Sequence, residues 1–267
     1  MKKFKIPVWI YVVHFVQERI RNPRLRNTIA KVLTTFLPSN PYGKYEKSNV
    51  NELKVNGFTF INDLVDDKWI ADVQQELLLK DCFDPWSKES GIFTINSIPL
   101  HTHVAQIKDV AQIEQVFELA NNENILRIVA EYFGCKPTLD SINAWWSIYG
   151  HDQPQEAENF HRDNDGIKFL KLFLYLTDVD DDAGPHLFVK GSHNSTKGLE
   201  RRRFKDEEIE NLFGKSSIIK FTGKKGIAFL EDTYGFHKGQ LPKSERRLLL
   251  QFRYSIMPTI FNSFLRK

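Results

Sequence analysis

Residues 160–179 read FHRDNDGIKFLKLFLYLTDV, a polar entry followed by an almost unbroken apolar run. The run is rich in Phe and Leu and closes on Thr-Asp, which predicts a strand. His161 and Asp163 stand just before it. In extended backbone, residues i and i+2 point to the same face, so these two project together while Arg162 turns away. An imidazole nitrogen and a carboxylate oxygen can chelate one ion. This mixed N/O pair suits Fe(II), Mn(II) or Zn(II).

Two protein ligands are too few. His101, His103, His151, His186, His193 and His237 are the candidates for a third, and His14 lies far off near the N-terminus. His237 is the best placed. It sits in FLEDTYGFHKGQ, directly after a predicted strand, and could return to the mouth where residue 161 lies. Arg247 follows ten residues later and opens the strand RLLLQFRY. A buried arginine beside a metal has an evident use, a two-pronged clamp on the carboxylate of a small acid.

Working outward, helical signals come first and strand signals later. DDKWIADVQQELLLK has helical period, with Trp69, Val73, Leu77 and Leu78 expected on one face. Two further helices are expected near 109–120 and 123–133, the second ending at Gly134. NGFTFIN reads as an early short strand. SINAWWSIY, IKFLKLFLYLT, HLFVKG, SIIKFT, KGIAFLED and RRLLLQFRY read as later ones. Helices followed by strands predict an α+β domain with a mainly β core, a sandwich or barrel with flanking helices.

The segment FHRDNDGIKFLKLFLYLTDVDDDAGPHLFVKGSH, residues 160–193, resembles the phytanoyl-CoA hydroxylase (PhyH-like) family of Fe(II)/2-oxoglutarate dioxygenases. The shared features are HxD, then LTDV…GP…GSH, then a distal His and Arg. NGFTFINDLVDDKW is similar to the family's opening strand and helix. The resemblance covers roughly residues 55–256. It departs at Lys190, where the family usually has Pro, and by about one residue between the distal His and Arg.

The resemblance implies a double-stranded β-helix (jelly-roll) core. It implies Fe(II), 2-oxoglutarate and O2 as cofactor and co-substrates, with His161, Asp163 and His237 as iron ligands. It also implies Arg247 as the 2-oxoglutarate anchor, with Arg246 as the alternative. Arg247 is preferred for its spacing to Tyr254 and because it shares a strand face with Leu249, Gln251 and Arg253. Related halogenases lack the carboxylate ligand, so Asp163 implies hydroxylation of an unactivated C–H bond. Lys171, Phe173 and Tyr175 share one face of their strand. If that face lines the barrel, Lys171 and Tyr175 are polar groups at the co-substrate, and Trp145, Ser147 and Tyr149 form a neighbouring wall.

The composition agrees with a globular enzyme. The chain has 267 residues, 41% hydrophobic and 27% charged, enough for one domain and an arm. Its 21 Phe residues favour an aromatic interior. A net charge of +3 is too small to indicate nucleic acid. Two cysteines without a CxxC exclude a disulfide framework and fit a reducing, cytoplasmic setting.

Residues 1–45 read as a basic, amphipathic helical arm and linker ahead of a dioxygenase domain over 46–267. The apolar stretch Ile6–Val16 is too short to span a bilayer and has no cleavage site after it. A second helix is expected after Pro23. The arm either lies on an anionic membrane surface, peripheral at the inner face, or packs on the domain with its basic face in water. ERRRFK, residues 200–205, is a solvated helix start or a patch for an acidic group on the substrate. The DVDDDAG segment reads as a turn between strands. The substrate is expected to be a small molecule or a lipid- or glycan-linked one. Two readings compete with the dioxygenase. One is a jelly roll that binds a ligand without catalysis. The other is a cupin-like metalloenzyme independent of 2-oxoglutarate, for which the HTH at 101–103 is a candidate chelator.

Overall fold

A computed structural model describes residues 6–45 and 48–264. The first basic residues of the arm, within 1–5, lie outside the described residues, as does the expected domain start at 46. In chain order come α1 (Val8–Gln17), α2 (Pro23–Thr34), α3 (Ser48–Asn56), β1 (Phe58–Ile61) and α4 (Asp67–Leu78). The short strands β2 (Cys82–Phe83), β3 (Ile92–Phe93) and β4 (Val104–Ile107) lead to α5 (Glu114–Ala120) and α6 (Glu123–Phe133). The β-rich half holds β5 (Thr138–Ser147), β6 (Phe169–Tyr175), β7 (His186–Val189) and α7 (Asp206–Phe213). It ends with β8 (Ile218–Phe221), β9 (Ala228–Glu231), β10 (His237–Gly239) and β11 (Arg247–Ser255).

The helices start and stop where their end residues require. Asp66 caps α4 by accepting the Trp69 N–H at 2.7 Å. Asn122 caps α6, and Gly134 ends it at φ 78°, a conformation glycine adopts without strain. The buried face of α4 is Ile70, Val73 and Leu77. Val73 and Leu77 lie on the expected face, but Leu78 is exposed and Trp69 only half-buried, with Ile70 taking its place.

Eight strands form one sheet in the order β1-β9-β6-β11-β5-β4-β2-β3, and β10-β7-β8 form a second. All named pairings are antiparallel. The sheets sandwich an aromatic interior that draws Phe173, Tyr175, Phe229 and Leu249 from one and Phe188 and Phe221 from the other. This is the expected α+β jelly roll with flanking helices. Each fully buried Phe contributes about 1.5–3 kcal/mol relative to exposure.

The central strands β6 and β11 are buried along their whole length. Alternation divides their side chains. Leu170, Leu172 and Leu174 join Leu248, Leu250, Phe252 and Tyr254 in the core beneath the helices. Lys171 and Phe173 join Arg247, Leu249 and Gln251 at the interior cavity. The pairing Gln251↔Phe173 and Arg253↔Lys171 locks this register. A slip of one residue would put Arg247 among the leucines.

The arm is built into the domain. Ala30 is buried in the main core, and Ile29, Leu33 and Leu37 pack against it. Arg26 is buried and donates to Ile20 O at 3.0 Å, to Asn164 Oδ1 at 2.9 Å and to Gly166 O. It therefore ties the arm to the loop that follows Asp163. α1 turns Ile10 and Gln17 inward. Val8, Trp9, Tyr11, Val12, Phe15 and Val16 face solvent, so its outer face is apolar, not basic. No helix among the described residues is long and apolar enough to cross a membrane.

Candidate active site

His161 and His237 meet across the interior. Each backbone N–H donates to the other's carbonyl at 3.0 Å, which brings the two rings together at a tilt of 50°. Their centroids are 4.3 Å apart. Asp163 lies between them, with Oδ1 3.7 Å from His161 Nε2 and Oδ2 3.3 Å from His237 Nε2. One ligand atom from each of the three residues lies within 4.8 Å of the others.

The second nitrogen of each ring is also placed. His161 Nδ1 donates to Asn159 O at 2.9 Å, and His237 Nδ1 to Gly235 O at 3.0 Å. With Nδ1–H spent on a carbonyl, each ring turns Nε2 to the centre. Burial would lower His237, but Asp163 overcomes it and raises its pKa, so this ring must give up its Nε2 proton when a metal takes the position. Burial holds His161 well below the ordinary imidazole range, with His237 adding to the effect. Burial alone would raise Asp163. Lys171, His237 and His161 overcome it and hold the carboxyl well below the usual range. A neutral imidazole and an ionised carboxylate are the forms that ligate a metal. Two Nε2 atoms and a carboxylate on one side of an open cavity fit an iron ion with free positions.

Lys171 grips the carboxylate from behind. Its Nζ lies 2.6 Å from Asp163 Oδ2 and 2.9 Å from Asp165 Oδ2. Arg253 continues the chain, 2.9 Å from Asp165 and 3.0 Å from the fully buried Asp140. Charges thus alternate from Asp140 to Asp163. Asp165, Arg253 and Asp140 were missed from sequence. The repeat of alternate acids in HRDND was the available signal, since it places Asp163 and Asp165 on one face.

A cavity of about 240 Å³ opens from the triad into the barrel. It is lined by Trp145, Ser147, Phe173, His186, Leu249 and Gln251, among others, and Arg247 lies in its wall. Arg247 is 3% exposed. It donates to Ser147 Oγ at 3.0 Å and to Gly184 O, and its Nε has no partner. No carboxylate lies within ion-pairing distance of it among the described residues. Burial lowers its pKa, while Tyr175 and Glu158 act in the opposite sense. A buried guanidinium with no counter-ion and an unpartnered Nε–H fits the distal carboxylate of 2-oxoglutarate. Arg246 is exposed and reaches only Ile95 O, at 3.4 Å.

Tyr175 shares the strand face of Lys171 but does not line the cavity. Its hydroxyl donates to Phe221 O at 3.0 Å and accepts from the His186 N–H at 2.9 Å. Trp145 and Ser147 form the expected wall, while Tyr149 is exposed. The other histidines have partners of their own. His101 meets Ser90 at the surface, His151 meets Thr102 O, and His193 meets Lys54 O. His186 lies 2.8 Å from Glu231, whose carboxyl burial pushes up to about 8.

His103 pairs with Glu158 at 2.8 Å in the cavity wall, a contact no sequence signal indicated. Burial pushes Glu158 up to about 7. Its folded pKa lies above its unfolded value near 4.5, so its stabilising contribution is complete below pH 4.5 and is lost as pH rises through 7. Glu158→Gln mimics the protonated acid and should lack this loss. Between pH 5 and 8 the variant should gain about 2.5 kcal/mol relative to wild type, from the shift of roughly 2.5 pKa units. Thermal midpoints of both proteins across that range check it, and a constant difference would contradict it.

Residues 53–247 match the family model described as phytanoyl-CoA dioxygenase (PhyH). The chain belongs to the phytanoyl-CoA dioxygenase family. As a member it is an Fe(II)- and 2-oxoglutarate-dependent oxygenase with O2 as co-substrate. Solved structures share the fold. HygX from Streptomyces hygroscopicus, with nickel, 2-oxoglutarate and hygromycin B bound, is 17% identical at a TM-score of 0.57, over 81% of this chain and 88% of that one. The carbocyclase SnoK from nogalamycin biosynthesis is 15% identical at 0.58, over 85% and 92%. EctD from S. alaskensis, with 2-oxoglutarate and 5-hydroxyectoine, is 14% identical at 0.58, over 85% and 84%. No curated protein matches the chain. Structures of the same fold include a carbocyclase and an epimerase, so the shared fold does not by itself fix the outcome of the reaction.

Proposed function

We propose that the enzyme is a hydroxylase. His161, Asp163 and His237 hold Fe(II), and Arg247 anchors the distal carboxylate of 2-oxoglutarate. One observation carries this reading: Arg247 is a buried cation without a counter-ion, in the same cavity as a two-histidine, one-carboxylate triad. When bound, the iron with 2-oxoglutarate and O2 supplies an oxidant able to hydroxylate an unactivated C–H bond. The protein holds the parts in place. The carbonyls of Asn159 and Gly235 fix the two imidazoles, and Lys171 fixes Asp163. Ser147 and Gly184 aim the guanidinium, while Trp145, Phe173 and Leu249 limit water.

In this scheme Lys171 acts on the co-substrate through Asp163, and Tyr175 acts through Arg247. The presence of Asp163 leaves no position for a halide, which favours hydroxylation. The test is conversion of 2-oxoglutarate to succinate by the purified chain with Fe(II) under air. We expect slow turnover without substrate and faster turnover with one. No turnover in any Fe(II)-loaded preparation would refute the scheme.

The division into an arm, residues 1–45, and a catalytic unit, 46–267, is part of the same proposal. The burial of α2 means that the arm is not detachable, so point substitutions are the proper probe. We assign the outer face of α1 to an anionic membrane surface on the cytoplasmic side. Trp9, Tyr11 and Phe15 would enter the headgroup layer, with Arg19, Arg24 and Lys31 near the phosphates. A lipid- or glycan-linked substrate fits that location, and a small soluble one is the other case. The full chain should sediment with anionic liposomes and be released by high salt. Trp9→Ser with Phe15→Ser should stay in the supernatant. Equal sedimentation of the two proteins would remove the membrane assignment.

A further inference from the structure

A second cavity, of about 480 Å³, adjoins the triad at His161 and Asp163. His161, Asp163 and Ala157 line both cavities, so the proposed metal position is where the two meet. The inner cavity ends at Arg247. The outer one ends at arginines: Arg21 from the arm, Arg162 beside the ligands, and Arg201, Arg202 and Arg203 from the loop before α7. Glu200 and Asp163 are its acidic lining residues.

These arginines are held in different ways. Arg162 donates to the carbonyls of Ser192, Ser195, Lys197, Gly198 and Tyr234. It fixes that loop, and its charge faces only neutral partners there. Arg201, Arg202 and Arg203 pair with Glu18, Glu208 and Glu156 at 2.7, 2.6 and 3.0 Å. None of those three acids lines the cavity. All three arginines are exposed and only Glu18 among their partners is half-buried; exposed pairs add little stability, so a stronger anion can displace them. Arg21 has no carboxylate partner among the described residues, and the Tyr234 hydroxyl donating to its carbonyl holds its backbone at the cavity rim. Forked guanidinium groups match phosphate oxygens in geometry as well as charge.

We propose that the outer cavity is a phosphoryl subsite. The substrate carries a phosphate or diphosphate group on Arg21 and Arg201–Arg203 while its reacting carbon lies at the triad. This rests on the proposed metal centre only for the position of the carbon. The anion site itself stands on the arginines. The phosphate could belong to a lipid headgroup or to a soluble phosphate ester, and both present the same group.

The experiment is calorimetric titration of the full chain, metal-free and loaded with Ni(II) and 2-oxoglutarate. The probes are monomeric dodecyl phosphate, inorganic phosphate and dodecyl maltoside. Dodecyl phosphate should bind both forms, more weakly as salt rises. Arg201→Gln/Arg202→Gln/Arg203→Gln should weaken it at least tenfold, and Arg21→Gln by a smaller factor. Lys224→Gln, a charge change in the exposed Lys224–Asp178 pair outside this cavity, should leave it unchanged. Inorganic phosphate binding within tenfold of dodecyl phosphate supports the subsite with a soluble ester as its source, and much weaker binding supports it with a lipid source. The proposal is overturned if the triple variant binds dodecyl phosphate like wild type. It is equally overturned if dodecyl maltoside binds as well as the phosphate, or if binding needs the nickel. If nickel and 2-oxoglutarate do not bind but the arginine-dependent phosphate site does, the metal reading fails and the subsite stands.

Discussion

His161→Ala, Asp163→Ala and His237→Ala should each reduce Fe(II)-dependent conversion of 2-oxoglutarate to background. Each leaves two of the three proposed ligands, whose donor atoms converge within 4.8 Å. Losing even an outer partner of a metal ligand costs about 10–100-fold in affinity or activity, so losing a ligand itself should exceed that. Lys171→Met removes the outer partner that Asp163 shares with Asp165 and should fall in the 10–100-fold range, about where such partners act. His161, Asp163 and His237 belong to none of the apolar clusters that hold the sheets together, so their variants should fold. Succinate formation and thermal midpoints for all four proteins check this. Full activity in His237→Ala would remove it as the third ligand.

Arg247→Ala should raise the apparent constant for 2-oxoglutarate while leaving metal binding nearly intact. Removing one partner of a buried ion pair costs about 3–5 kcal/mol, much of it from the stranded charge. At about 1.4 kcal/mol per tenfold, that is a weakening of roughly a hundred- to several-thousand-fold. Arg247→Lys should recover part of the loss, because the charge remains and the planar fork does not. Arg246→Ala should do little, since that side chain points to solvent and makes one long contact to Ile95 O. The measurement is succinate formation against 2-oxoglutarate concentration. If neither arginine matters, a metalloenzyme independent of 2-oxoglutarate becomes the better reading.

Both predictions come from features that are local in sequence. HxD before a strand places two side chains on one face, and the alternation in β6 and β11 puts Phe173 and Arg247 inside with the leucines behind them. The early short strands were harder to read. β2 and β3 have two residues each and β4 has four, too few for periodicity to register. β10 is three residues long and is defined by its pairing with β7 and by the bridge between His237 and His161. On α4, Trp69 and Ile70 compete for the same stripe, and only tertiary packing selects Ile70.

Charge pairing was the least legible. Glu158 meets His103 across 55 residues and Arg253 meets Asp140 across 113, and no local pattern links them. Lys171 and Tyr175 show a different limit. Alternation places them on one face, but four residues of strand separate them by about 13 Å along the chain direction. Lys171 therefore reaches Asp163, and Tyr175 ends at Phe221 O and the His186 N–H.

The most direct test of the centre is anaerobic titration of 2-oxoglutarate into the chain with and without Mn(II), a metal suited to the same ligands. The metal should bind one per chain, and 2-oxoglutarate should bind tightly only after it. Both events should vanish in Asp163→Ala, and the second alone should weaken in Arg247→Ala. Tight binding of 2-oxoglutarate to the metal-free chain, or undiminished metal binding by Asp163→Ala, would contradict the proposed site.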